Sequence, residues 1–403
     1  MPAPHMLDGL RVIDFTHFVA GPHCTRLLAQ HGAEVIKIEP PIGDPSRTLP
    51  VVKNNRSGCF IQHNIGKKNL CLDLQRPEAQ QICHELIRDA DVVVENFSPG
   101  VMRRLNMDWE TLSALNDQVV MCSISCMGQS GPLAAYPGFD YIGQAYAGIM
   151  GMTGQENGYP ALSGTAFGDI STGAHAYGAI VTALFHRLHG GGGQYLDISL
   201  LDCLFSYHAM NVQVYSASHG EMNPLRSGHR HPFVAPLGLY RCNDRYLIII
   251  AIGAQWNNLV NLLDRPELLD DPRFADPVSR HHNREALDRE IENWLAGIGD
   301  ADKAVRILGE HHVPAAPVLS VPEVMDYPHM QERHIVQTVT DRKFGEVRIP
   351  ASPYRYSGFP EPRPLEAGFL GEANREVLGD ILGYSEEQIE ELEAKRICLS
   401  ADH

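Results

Sequence analysis

Apolar positions in the N-terminal half come in short blocks separated by helical stretches. Leu10 to Phe15 reads as a buried strand, Ala20-Gly21-Pro22 opens a helix through Leu27 and Leu28, Gly32 stops it, and Glu34 to Ile38 is a second strand. The pattern repeats with strand Leu70 to Leu72, a helix begun by Pro77 and rich in Leu and Ile through Ile87, and strand Val92 to Val94. A helix over Trp109 to Leu115 leads to strand Val119 to Ser123. Asp169 to Arg187 is a long Gly/Ala-rich helix, followed by strand Tyr195 to Leu200. Such alternation predicts an α/β fold built on a Rossmann-like parallel sheet covered on both faces, with ligands at the carboxyl ends of the strands.

The periodicity then lapses. Residues 216–238 are polar, with Gly, Pro, Arg and His, and read as a linker and substrate loop after a large domain over residues 1–215. A small α/β domain is expected over 239–325, with strand Leu247 to Ile252, a helix around Trp256 to Leu263 and an amphipathic helix presenting Leu287, Ile291, Trp294 and Leu295. Residues 326–403 cannot form a core alone and should return to the large domain; their last helix opens on a capping box, Ser385-x-x-Gln388.

Composition narrows the function. The 403 residues carry 33 Lys and Arg against 49 Asp and Glu, a net charge of -16 that repels phosphodiester polymers and anionic lipid surfaces. Neither nucleic acid nor membrane is an expected partner, and no apolar run approaches the ~20 residues of a bilayer span. Met1-Pro2-Ala3-Pro4-His5 shows no export signal, so a cytoplasmic location is expected. Nine cysteines without a Cys-x-x-Cys pair fit reduced thiols, Cys122 and Cys126 reading as strand-end packing residues.

Several segments could carry chemistry. Gly190 to Gly193 precedes a strand instead of a helix and reads as a turn, and no G-x-G-x-x-G or G-x-S-x-G motif is present. In Ser163-Gly164-Thr165-Ala166-Phe167-Gly168-Asp169, small residues bring backbone N–H groups toward a carboxylate at a helix start. Asp169 could be an N-cap, or a nucleophile for an activated carbonyl with those amides stabilising the oxyanion. Glu95-Asn96-Phe97-Ser98-Pro99-Gly100 follows a strand and opens a helix bearing Arg103 and Arg104, an arrangement suited to a phosphate or equally to a solvated helix start. Lys67-Lys68 reads as a solvated pair. His17, Arg47, His229, Arg230 and His231 are candidates for gripping a carboxylate, and no third ligand at metal-like spacing supports a metal.

Together these pieces resemble the class III CoA-transferases, the formyl-CoA transferase and carnitine CoA-transferase family. The resemblance runs from Leu7-Asp8-Gly9-Leu10-Arg11-Val12-Ile13-Asp14-Phe15 through Gly32-Ala33-Glu34-Val35-Ile36-Lys37-Ile38-Glu39, Val94-Glu95-Asn96-Phe97 and Gly168-Asp169 to Leu370-Gly371-Glu372. It implies two lobes in an interlocked homodimer, the larger lobe built from both chain ends. It makes Asp169 the nucleophile and sets His17, Val19, Ala20, Leu72, Asn96, Phe97, Arg104, Phe139 and Asp140 along the CoA, with His229, Arg230 and His231 toward the second substrate. It implies an aspartyl anhydride, an aspartyl-CoA thioester, and acyl-CoA and a small carboxylic acid as substrates, without metal or redox cofactor.

Val19 stands where the formyl-CoA/oxalate enzymes have glutamine, and His231 to Gly238 replaces their longer glycine-rich loop. These departures point to succinyl-CoA, or else acetyl-CoA, as donor and a small dicarboxylic acid as acceptor. An α-methylacyl-CoA racemase looks similar over the same motifs, yet Phe139 occupies its histidine position and phenylalanine cannot carry a proton. A non-catalytic CoA-binding protein would not need the Gly168-Asp169 pair.

Overall fold

The computed structural model describes residues 5–359 and 365–400. Residues 1–4, on which the expectation of no export signal largely rests, lie outside them, as do 360–364 and 401–403 of the returning C-terminal segment. The chain divides into two compact units. The first comprises the chain through Gly148, Ser163–His208 and everything from Gln331 on; the second comprises Ile149–Leu162 and Ala209–Met330. The sequence carried the large domain unbroken to residue 215, whereas residues 149–162 group with the second unit.

The first unit is built on a six-stranded parallel sheet: β1 (Arg11–Asp14), β2 (Glu34–Glu39), β3 (Lys67–Cys71), β4 (Val92–Glu95), β5 (Val120–Ser125) and β6 (Gln194–Ser199). Their order across the sheet is β3-β2-β1-β4-β5-β6, with pairs such as Ile13↔Ile36, Ile13↔Val93 and Val93↔Met121 in register. Order reverses between β1 and β4, so the loops leaving their carboxyl ends diverge to opposite sides and open a crevice there. Alternate strand residues feed two cores. Ile13, Ile36, Val93 and Met121 pack under the helix Pro77–Arg88 and the C-terminal elements. Val12, Val35, Val94 and Cys122 pack under α1 (Ala20–Gln30) and a long helix, Phe167–Leu188.

That long helix lies close to α1 because Gly173 is there: a Cβ on it would stand 2.5 Å from the Ala20 carbonyl oxygen. The C-terminal chain packs back on this unit, the Arg56 guanidinium gripping the Asp341 carboxylate and the Cys71 amide donating to Asn374 Oδ1 (2.9 Å). Its last helix, Glu386–Ala394, opens on the expected capping box, with Ser385 N–H donating to Gln388 Oε1 (2.8 Å) and Gln388 N–H to Ser385 Oγ (3.3 Å). The turn at Gly190 to Gly193 is also as expected, Gly190 having φ +88°.

The second unit has an antiparallel three-stranded sheet of Leu237–Cys242, Arg245–Ile250 and Ala315–Pro317, with Arg245–Ile250 in the centre. Against it packs the helix Arg284–Ile298, whose Leu287, Ile291 and Leu295 are fully buried while Trp294 packs at the margin. Among the described residues no helix is long and apolar enough to cross a membrane.

Candidate active site

The crevice between β1 and β4 holds a cavity of about 290 Å³. Its walls are His17, Phe18, Val19 and Ala20 after β1, Asn96 and Phe97 after β4, Cys126 after β5, Phe139, and Asp169. Asp169 is the third residue of the long helix, past the N-cap position held by Ala166, so it is not the N-cap. Its backbone N–H donates to Asp140 Oδ2 at 2.8 Å.

Asp140 is itself buried at the start of a second helix, Asp140–Tyr146, and its other oxygen accepts from the Gln144 amide. Gln144 in turn bonds the Ser163 hydroxyl (3.0 Å), which donates to the Thr165 carbonyl (2.8 Å). Gly168 permits this approach: a Cβ there would stand 2.9 Å from Asp140 Oδ2 and 3.0 Å from Leu204 Cδ1. The conjunction Gly168-Asp169 thus has a packing cause. Of the N–H groups in this segment, that of Asp169 itself is occupied by Asp140.

Two like charges at a helix start oppose the helix dipole, which favours ionisation. Burial first, and the Asp140 charge second, push the Asp169 carboxyl up to about 7. The group therefore divides between acid and carboxylate near neutrality, the condition in which a nucleophile is ionised yet poorly solvated.

The loop carrying His17 and Phe18 is clamped from both sides. Asn96 accepts the His17 N–H at Oδ1 (2.7 Å) and donates from Nδ2 to the His17 carbonyl (2.8 Å). Asp44 Oδ1 accepts the Phe18 N–H (3.2 Å), and Lys37 Nζ donates to the Thr16 carbonyl (2.5 Å). Phe18 is left-handed at φ +63° and meets Phe139 edge-on, with centroids 5.9 Å apart. Burial and the Lys37 charge push His17 down, so it faces the cavity as a neutral ring and not as a cation for a carboxylate.

The other candidates divide. Val19, Ala20, Phe97 and Phe139 reach the cavity; Asn96 does too, with its amide spent on His17. Leu72 does not: it is fully buried in the core and bridged to Cys398. Arg104 is exposed on a one-turn helix, Val101–Arg104, and Arg103 is paired with Asp108 at 2.9 Å. Arg47 grips Glu39 through Nε (2.7 Å) and Nη2 (2.6 Å), which removes it as a carboxylate ligand. Lys67 is no solvated residue; it is buried against Asp14 at 3.0 Å. In the second unit Arg230 is tied to Asp288 at 2.6 Å, and the His231 N–H donates to the Leu237 carbonyl (2.9 Å), while His229 is exposed. Sequence reading missed Phe18 and Cys126, whose place just beyond a strand end was the available signal.

Comparison with known proteins fits this geometry. Residues 7–374 match CoA-transferase family III. The chain belongs to that family. This CoA-transferase is 36% identical over 358 residues to acetyl-CoA:oxalate CoA-transferase of Acetobacter aceti, covering 88% of this chain and 90% of that one. It is 36% identical over 388 residues to succinyl-CoA:mesaconate CoA-transferase of Haloarcula hispanica, covering 93% and 96%. The crystal structure of a CAIB/BAIF family protein from Brucella suis superposes with a TM-score of 0.82 at 32% identity, covering 94% of this chain and all of that one.

Proposed function

We propose that this CoA-transferase moves CoA from succinyl-CoA, or else acetyl-CoA, to a small carboxylic or dicarboxylic acid, with Asp169 as the nucleophile. The observation that carries the reading is Asp169 on the wall of a cavity at the sheet's reversal point, its amide held by Asp140. The ionised carboxylate attacks the donor thioester, forming an acyl-aspartyl anhydride and releasing CoA thiolate. The thiolate attacks the aspartyl carbonyl, giving an enzyme thioester and freeing the donor acid, which leaves with one aspartyl oxygen. The acceptor carboxylate attacks that thioester, and the returning thiolate takes its acyl group, so one acceptor oxygen remains on Asp169. Retaining CoA between steps makes each return attack intramolecular, an advantage of about 7–11 kcal/mol in well-oriented systems.

The relatives' names, acetyl-CoA:oxalate and succinyl-CoA:mesaconate CoA-transferase, support this choice of donor and acceptor classes. Arg104, exposed beside the loop that carries Phe97, suits a CoA phosphate. An interlocked homodimer would cover apolar surface that one chain leaves open, including Phe185, Leu188 and Phe205 at 62%, 80% and 51% exposure.

Mass spectrometry of CoA esters, after incubation with succinyl-CoA or acetyl-CoA and a pool of small acids, tests the transfer. New acyl-CoA masses are expected, absent with Asp169→Ala, and ¹⁸O from a labelled acceptor should enter Asp169. Deuterium uptake at the α-carbon of a branched acyl-CoA without transfer would establish the racemase instead.

A further inference from the structure

Away from the cavity, α1 turns inward two side chains that each keep one buried polar atom unpartnered. His23 and Arg26 stand three residues apart on one face, and both His23 Nδ1 and Arg26 Nε are buried with no hydrogen-bond partner. A helix after β2, Gly58–Asn64, brings His63 opposite, its ring edge-on to His23 with centroids 6.0 Å apart. Its Nδ1 is also unpartnered. Arg26 and His63 are only 3% and 4% exposed.

The protons can be placed. The Gln62 amide nitrogen, a donor, lies 3.3 Å from His63 Nε2, so that nitrogen accepts and the neutral ring carries its proton on Nδ1. His63 Nδ1–H and Arg26 Nε–H are thus two buried donors in want of an acceptor. Arg26 also has an unmet charge. Its Nη2 donates to the Pro350 carbonyl, but among the described residues no carboxylate pairs with it, whereas the neighbouring buried cation Lys67 is neutralised by Asp14 at 3.0 Å. Removing an unpaired charge from water is strongly unfavourable, and a guanidinium does not relieve it by losing its proton. A water molecule would satisfy the donors and leave the charge. An anion satisfies both.

We propose that Arg26, His23 and His63 bind a chloride-sized monovalent anion, with Arg26 Nε–H as the charged donor, His63 Nδ1–H as the second donor and His23 taking the tautomer that offers its unpartnered Nδ1 as the third. The site has a structural tie to the cavity: the His23 N–H donates to the Val19 carbonyl at 2.8 Å, so the anion fixes the first turn of the helix whose leading residues form the cavity wall.

The probe is bromide on the full-length protein. Crystals grown in sodium bromide should show an anomalous peak within hydrogen-bond distance of Arg26 Nε. Thermal unfolding should lie roughly 2–4 °C higher in sodium bromide or chloride than in sodium gluconate at equal ionic strength. Arg26→Gln should abolish that difference, and His63→Leu, which keeps the charge, should raise the half-saturating bromide concentration roughly tenfold. If Arg26→Gln does not fold, His63→Leu and the anomalous map decide. Identical unfolding in halide and gluconate, or water or a neighbouring chain's carboxylate found at Arg26 in bromide-grown crystals, would overturn the proposal.

Discussion

Two sets of buried charges sit within the first unit, and they are built in opposite ways. Behind β1 and β2, Lys37 lies 2.9 Å from Asp44 and Lys67 lies 3.0 Å from Asp14, every side chain fully buried. Asp14 also accepts from Thr16 and Thr25, at 2.5 Å and 2.7 Å. At the start of the long helix, the Asp140 carboxylate sits on the Asp169 backbone N–H, and among the described residues no cation pairs with either aspartate. Pairing holds Asp44 well below the ordinary carboxylate range, with Lys37 as the main cause opposing burial, whereas Asp169 is pushed up to about 7. The same residue type is thus a strut in one place and a reactive group in the other, and the difference is what faces it.

Breaking each side should give opposite results. The largest effect is on turnover: Asp169→Ala should lower the transfer rate by roughly three orders of magnitude or more, read by CoA-ester formation, with the fold retained. Gly168→Ala drives a methyl into Asp140, 2.9 Å away, and should cost roughly ten- to a hundredfold in kcat, because Asp140 and the Asp169 amide must part.

In stability the two sites differ in sign. Lys37→Met leaves Asp44 buried without its cation and should destabilise by about 3–5 kcal/mol in urea unfolding. Asp169→Asn removes a carboxylate whose native value is raised, so ionisation costs stability as pH climbs from the unfolded value toward about 7, and the full cost stands above it. The Asn variant should therefore be more stable by roughly 1–3 kcal/mol at pH 8 and no more stable near pH 3. Loss of stability in Asp169→Asn at pH 8 would break the comparison.

The smallest effect is a shift of profile. Activity should rise with pH through about 7 as Asp169 ionises, and Asp140→Asn, which can still accept the Asp169 N–H, should move that limb to lower pH by removing the second cause of the shift. An unmoved limb would leave burial as the sole cause.

Much of the fold was legible. Blocks such as Val92 to Val94 and the Gly/Ala-rich stretch from Asp169 differ from their structural limits by a residue or two, because hydrophobic period is a local property of the chain. Charge partners were less legible. Lys67 read as a solvated residue and is buried against Asp14; Arg47 read as a ligand and belongs to Glu39. Cys126 read as packing and lines the cavity. Lys67 meets Asp14 across the intervening strand, a neighbourhood set by the order β3-β2-β1 in the sheet, whereas Arg47 folds back onto Glu39 at the end of the strand that precedes it.

By itself the sequence determined the alternation of strands and helices, the family, and Asp169 as the residue to watch, since these rest on periodicity and on motifs read along the chain. Only the tertiary structure decided that Asp140 would face the Asp169 amide across Gly168, and that Arg26 Nε and His63 Nδ1 would be buried without partners. An ionisable group takes its character from the charges and solvent around it, and residues far apart along the chain supply those only once the sheet has brought them together.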